Sequence, residues 1–136
     1  MAVVMIVDDD PETCSTLRTF LSRRGHRVNC AQQGKEGIEL MAVDPADVVI
    51  LDAMMPVVDG IGFLEILRCY LRWQQTPVIM LTAYGQGPHI RRGVELGVRK
   101  TFLKGDFELA ELGAYIDAMT PGGVSEQASV QLPYQG

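Results

Sequence analysis

Four short apolar runs in this 136-residue chain each end on a polar residue. Val3–Val7 leads into Asp8 and Asp9, Val48–Leu51 into Asp52, Val78–Leu81 into Thr82, and Thr101–Leu103 into Lys104. In an open parallel sheet the ligand crevice lies outside the carboxyl ends of the strands, where the winding reverses direction, so these side chains line that edge if the runs are strands. A strand order of 2-1-3-4-5 makes the first and third strands neighbours about 4.8 Å apart, and Asp8, Asp9 and Asp52 then share one small site. Like charges that close do not all stay ionised cheaply: one carboxylate takes a proton or a cation enters. With no His or Cys in the set, an oxygen-only, partly hydrated cluster suits Mg²⁺ or Mn²⁺ rather than zinc. Lys104 lies about 10 Å from Asp52 by strand spacing, and its stem carries the ammonium most of the way back; Thr82, on the intervening strand, places a hydroxyl between them. A carboxylate nucleophile, a metal to neutralise an incoming phosphoryl group, and a cation and hydroxyl for its remaining oxygens together make a phosphoryl-transfer site.

The elements that have to position these groups are legible as an alternation of β-rich runs and helical patterns, the signature of βα units around a mainly parallel sheet. Strands are expected at Val3–Val7, Arg27–Cys30, Val48–Leu51, Val78–Leu81 and Thr101–Leu103. The first, third and fourth are continuously apolar, as strands covered on both faces have to be, so they are central. The best-punctuated helix spans Pro11–Arg24, with Asp10 as N-cap, Pro11 at the first helical position, Cys14, Leu17 and Leu21 toward the core and Gly25 as a stop. Further helices are placed at Gly34–Ala42, Gly60–Leu71 and Pro88–Leu96. Leu109, Leu112, Ile116 and Met119 recur at helical spacing on one face of a closing helix. The fold class is thus α/β: a flavodoxin-like, doubly wound (βα)5 domain over residues 1–119. After it, Thr120-Pro121-Gly122-Gly123 breaks the pattern and residues 120–136 read as a flexible tail.

Composition narrows the function classes. At this length and 47% apolar content one domain with one core is expected, folding without disulfides or structural metal. Twelve basic against seventeen acidic residues give a net charge of −5, which disfavours a phosphate-backbone binder, so no direct nucleic-acid contact is expected. Cys14, Cys30 and Cys69 are widely spaced and contain no C-x-x-C pair, fitting a reducing cytosol and a cytoplasmic location. Met1–Val7 is too short for a signal sequence or membrane span.

Four segments in order carry a family resemblance: Val3–Val7 with Asp8-Asp9-Asp10; Val48–Leu51 with Asp52-Ala53-Met54-Met55-Pro56 and Asp59-Gly60; Pro77–Leu81 with Thr82-Ala83; and Phe102-Leu103-Lys104. Over residues 3 to about 119 the chain resembles a response-regulator receiver domain (CheY-like) of two-component signalling. The resemblance implies Asp52 as phosphoacceptor and Asp8 and Asp9 as the acidic pair that joins it in binding Mg²⁺. It also implies the Met54 backbone carbonyl as a further ligand, with Thr82 and Lys104 on the phosphoryl oxygens. A histidine kinase or histidine phosphotransfer protein would be the donor, and the chain would catalyse only its own phosphotransfer and dephosphorylation rather than act as an enzyme on other substrates. Two positions depart from the family pattern. Gly105 follows Lys104 where proline is usual, commonly after a cis bond; a cis bond without proline costs roughly 2.5–4 kcal/mol, so a trans bond is expected here. Thr101 stands where a switch Tyr or Phe is common, with Phe102 beside it on the opposite strand face.

Other residues have blander readings. Asp10 is expected only to cap its helix. Arg91, Arg92, Arg99 and Lys100 form a basic group around the fourth helix and fifth strand, either a partner-contact region or a solvated charged face. Met54, Met55 and Met80 read as core fillers, Trp73 as packing over the polar Arg72–Thr76 connection, and His26 and His89 have no catalytic role. The alternative from a different class is a constitutive interaction module that keeps this fold without phosphorylation. A flavin mononucleotide carrier of the same topology would need a phosphate-cradling loop where Asp8-Asp9-Asp10 stands. An aspartate-based phosphatase would want a second acid at Met54.

Overall fold

The computed structural model describes residues 1–53, 55 and 60–119. Five parallel strands, β1 (Val3–Val7), β2 (Arg27–Ala31), β3 (Val48–Asp52), β4 (Val78–Thr82) and β5 (Lys100–Leu103), form one sheet in the order β2-β1-β3-β4-β5. The helices between and after them are α1 (Pro11–Arg23), α2 (Gly34–Val43), α3 (Gly60–Cys69), α4 (Pro88–Glu95) and α5 (Leu109–Met119). The doubly wound order expected from the alternation is therefore observed, and β3 and β4 are buried along their whole length. Element ends differ from the sequence reading by one or two residues. The largest difference is at α3, which stops at Cys69 and gives way to a 3-10 turn at Leu71–Trp73. That turn carries Trp73 into the core, so Trp73 is an interior residue rather than a cover over a loop.

Alternation along the strands sends side chains into two cores. Val4, Ile6, Val48, Ile50, Ile79, Leu81 and Phe102 face α1 and α5, meeting Cys14, Leu17, Leu21, Leu112 and Ile116. Met5, Val7, Val49, Leu51 and Val78 face the other way, meeting Met41 of α2, Phe63, Leu64 and Leu67 of α3, and Trp73. Register then fixes the functional edge: Val7 pairs with Leu51 and Asp52 with Leu81, so the ends of β1, β3 and β4 finish nearly level. Asp10 caps α1 as expected, its carboxylate accepting from the Glu12 amide at 3.0 Å and the Thr13 hydroxyl at 2.9 Å.

Truncating Leu64, which is fully buried, should cost about 2–5 kcal/mol by transfer and cavity terms. Denaturant unfolding of Leu64→Ala followed by the fluorescence of Trp73, the only tryptophan, checks this, because the same buried cluster holds the reporter.

Candidate functional site

Asp8 leaves β1 as its amide donates to the Ala31 carbonyl at 3.0 Å, so the first acid is pinned to the edge by β2. Its Oδ1 accepts from the Asp10 amide at 2.9 Å. Asp52 is the last residue of β3, on the same face as Val48 and Ile50. Each of Asp8, Asp9 and Asp52 offers a carboxylate oxygen, and these oxygens lie within 4.8 Å of one another. Asp8 and Asp52 are buried and Asp9 is exposed, which makes a cup with one open side. The convergence expected from the strand order is present.

Lys104 reaches further than strand spacing suggests. Its Nζ lies 3.0 Å from Asp8 Oδ2 and donates to Asp52 Oδ2 at 3.3 Å, bridging the two buried acids. The turn after β5 explains the aim. The Lys104 amide donates to the Thr82 carbonyl at 2.8 Å, and the Asp106 amide closes on the Leu103 carbonyl at 3.0 Å. Gly105, third in that turn, has φ +78°, while no described non-glycine residue has positive φ, which is the type II pattern that selects glycine at this place. No cis peptide occurs among the described residues, so the Lys104–Gly105 bond is trans. A lysine followed by a left-handed glycine thus presents the ammonium here.

Electrostatics follow from burial and crowding. Burial pushes the Asp8 carboxyl above its ordinary range and the Asp52 charge adds to this, against the Asp10 amide and Lys104, which lower it. For Lys104 burial pulls downward, but hydrogen bonding and charge from Asp8, then Asp52, leave it raised. The ammonium is therefore firmly protonated and compensates part of the carboxylate charge.

Thr82 ends β4, which lies between β3 and β5. It is fully buried, shares its strand face with Val78 and Met80, and its hydroxyl accepts from the Tyr84 amide at 3.3 Å. Phe102 lies on the α1 and α5 side, its ring 5.6 Å from Phe107 and 6.3 Å from Tyr115. Thr101 pairs in register with Met80. Met54 lies outside the described residues, as do Pro56, Asp59 and the tail at 120–136. The basic group is dispersed: Arg92 is engaged by Glu65 at 3.1 Å and Glu95 at 3.0 Å, and Lys100 sits over the Phe102 ring. His26 is structural, its Nδ1 accepting from the Ala2 amide at 3.0 Å and its Nε2 facing Asp117 at 2.8 Å.

Sequence reasoning gave Gly60 no positioning role. A Cβ there would collide with the Asp52 carbonyl and come within 2.8 Å of the Ala53 Cα, so α3 can start against the strand carrying Asp52 only because position 60 has no side chain. The signal in the sequence was a glycine opening a helical pattern a few residues after the acid.

Residues 4–117 match the response regulator receiver domain. The chain belongs to that family. The receiver is 40% identical over 119 residues to the transcriptional regulatory protein CpxR of Escherichia coli K12, covering 88% of this chain and 49% of that protein. It is 37% identical over 116 residues to the transcriptional activator protein PfeR of Pseudomonas aeruginosa, covering 85% and 37% respectively. The chain thus spans about half or less of the length of these relatives. Among solved structures, the Vibrio cholerae chemotaxis protein CheY4 superposes with a TM-score of 0.80 at 26% identity, covering 88% of this chain and 98% of that one. The receiver domain of the Francisella response regulator 1452 gives 0.77 at 29% identity, covering 88% and 96%. No described helix is long and apolar enough to cross a membrane.

Two outcomes test how the receiver holds its site. Gly105→Ala should cost about 1–2 kcal/mol because an L side chain disfavours left-handed φ, and Gly105→Pro, which restores the common family residue, should cost more because proline fixes φ near −65°. Equilibrium unfolding of both variants checks the order. Replacing Lys104 with Met should destabilise the metal-free protein more at pH 8 than at pH 5. Without the ammonium the Asp8 carboxyl rises further, so the folded variant takes up a proton earlier as pH falls and recovers stability relative to wild type. Urea titrations at the two pH values check the sign.

Proposed function

We propose that this receiver accepts a phosphoryl group on Asp52 from the phosphohistidine of a histidine kinase or phosphotransfer protein. The observation that carries this reading is the meeting of the Asp8, Asp9 and Asp52 carboxylates, with oxygens within 4.8 Å, under the ammonium of Lys104. An Asp52 carboxylate oxygen attacks phosphorus, the new O–P bond gives an acyl phosphate, and the N–P bond breaks with its electron pair returning to the imidazole. Lys104, already hydrogen-bonded to Asp52, is placed to pair with a phosphoryl oxygen, and its raised pKa keeps it charged for that role. The Thr82 hydroxyl accepts from the Tyr84 amide and keeps its own proton to donate, so it is the further candidate for the same group.

The donor set fits a hard divalent cation. It is all oxygen, crowded with like charge, and holds a buried carboxyl whose ionisation the fold opposes. Asp8, Asp9 and Asp52 would hold Mg²⁺ or Mn²⁺, with the Met54 carbonyl as a further candidate; when bound, the ion supplies charge neutralisation at the phosphoryl oxygens. Phosphorylation then biases two arrangements of the segment after Thr82 and α4, changing affinity for a protein partner in which Arg91, Arg92, Arg99 and Lys100 take part. The receiver acts only on itself, by phosphotransfer and dephosphorylation.

Incubation with a small acyl-phosphate donor, with and without Mg²⁺, followed by intact mass measurement tests the reading. Metal-dependent, hydroxylamine-sensitive addition of one phosphoryl group to wild type and none to Asp52→Asn is expected. An unmodified wild type that is folded, binds the metal and also fails with a phosphorylated histidine phosphotransfer protein would contradict it and favour a constitutive interaction module.

A further inference from the structure

At the opposite end of the sheet from the acidic cup, a cleft of about 340 Å³ opens where the connection into β4 passes the turn into β5. Gln74, Gln75 and Thr76 line one side and Gly97 and Arg99 the other, with Arg68 of α3 joining the two. The Arg68 Nε donates to the Leu96 carbonyl at 2.8 Å, and its Nη1 donates to the carbonyls of Trp73 at 3.0 Å and Thr76 at 2.8 Å. A guanidinium has five N–H groups, so these bonds use three and leave the two on Nη2 without a partner among the described residues. Nη2 lies 3.7 Å from where a Cβ of residue 97 would stand, and glycine there leaves its approach open. An arginine on three carbonyls is by itself a structural staple. This one departs from that reading because its charge is not compensated by an acid: its burial and the like charge of Arg99 both oppose the cation. Glu95, the acid at the rim of the cleft, is engaged by Arg92 at 3.0 Å.

We propose that this cleft binds a small organic phosphate monoester, held through its phosphate by Arg68 and Arg99. The two unspent donors on Nη2 supply charge-assisted hydrogen bonds to phosphate oxygens, already aimed because the other three fix the guanidinium plane. Arg99, exposed and in no ion pair among the described residues, closes on the same anion from the turn into β5. Two cations on one cleft suit a phosphate monoester, which carries about −1.5 to −2 at neutral pH, better than a single carboxylate. The side-chain amides of Gln74 and Gln75 offer donors and acceptors to a polar body. The volume falls at the small end of ligand pockets, roughly 300–1,000 Å³, which fits a sugar phosphate or mononucleotide. The net charge of −5 works against any anion, so binding is modest in strength and weakens with salt. A ligand seated there ties the connection before β4 to the turn before β5. Those are the amino ends of the strands whose carboxyl ends lead into Thr82 and Lys104, about 16 Å away by strand rise.

The test titrates the full chain, free of divalent cations and at low ionic strength, with ribose 5-phosphate, adenosine monophosphate, inorganic phosphate and chloride at matched ionic strength, following backbone amide chemical shifts. At least one monoester should move the Gln74, Gln75, Thr76 and Gly97 amides along one saturable curve, with a Kd of about 1 mM or tighter. Inorganic phosphate should bind more weakly at the same amides, and chloride should leave them in place. Arg99→Gln, a change at an exposed side chain, should weaken the monoester by about tenfold while shifts elsewhere show the fold intact. Arg68→Lys keeps the charge but loses the fork and should weaken it as well. No saturation by either monoester up to about 10 mM, shifts that chloride reproduces, inorganic phosphate binding as tightly as the better monoester, or full affinity in folded Arg99→Gln would each overturn the proposal.

Discussion

The structure depends on a like-charge constraint imposed by topology. Because β1 and β3 are neighbours and their ends are level, two buried acids and a third exposed one are held where mutual repulsion is not relieved by distance. The chain answers with Lys104, drawn across the sheet edge to lie against both Asp8 and Asp52. That answer is partial, since one ammonium faces three carboxylates and Asp8 still resists ionisation. Residual negative charge of this kind suits a divalent cation. Under the proposed phosphoryl transfer, an incoming anionic group would meet the same repulsion, which such an ion would relieve.

Rigid surroundings are what keep this tension in place. Strands buried on both faces hold the two acid-bearing ends, and the packing of α1 and α5 on one side and α2 and α3 on the other leaves the sheet little room to splay. The backbone gives way at two glycines instead. Gly60 lets α3 press against the Asp52 carbonyl, and Gly105 turns the chain so that Lys104 points inward. Both act on the position of a charged group.

Much of this is legible in the sequence. Continuous apolar runs marked β1, β3 and β4 as central, and a polar residue at each strand end marked the edge, because parallel βα winding leaves few other solutions. The placement of Asp8, Asp9 and Asp52 followed from strand order alone. Side-chain reach did not: strand spacing put Lys104 short of Asp52, while the turn at Gly105 carries it on to Asp8. Trp73 is harder to place from sequence, because the polar residues around it suggest a surface loop, whereas the 3-10 turn swings the indole into the core.

The most direct test of the central claim is calorimetric titration of Mg²⁺ into wild type, Asp8→Asn, Asp9→Asn, Asp52→Asn and the Asp8→Asn/Asp52→Asn double variant. If the three acids form one cation site, each single change weakens binding by about tenfold or more, roughly 1.4 kcal/mol, and the double variant departs from additivity because its partners share the ion. Wild-type affinity in any of the three single variants, all remaining folded, would show that the carboxylates do not act together and would contradict the account.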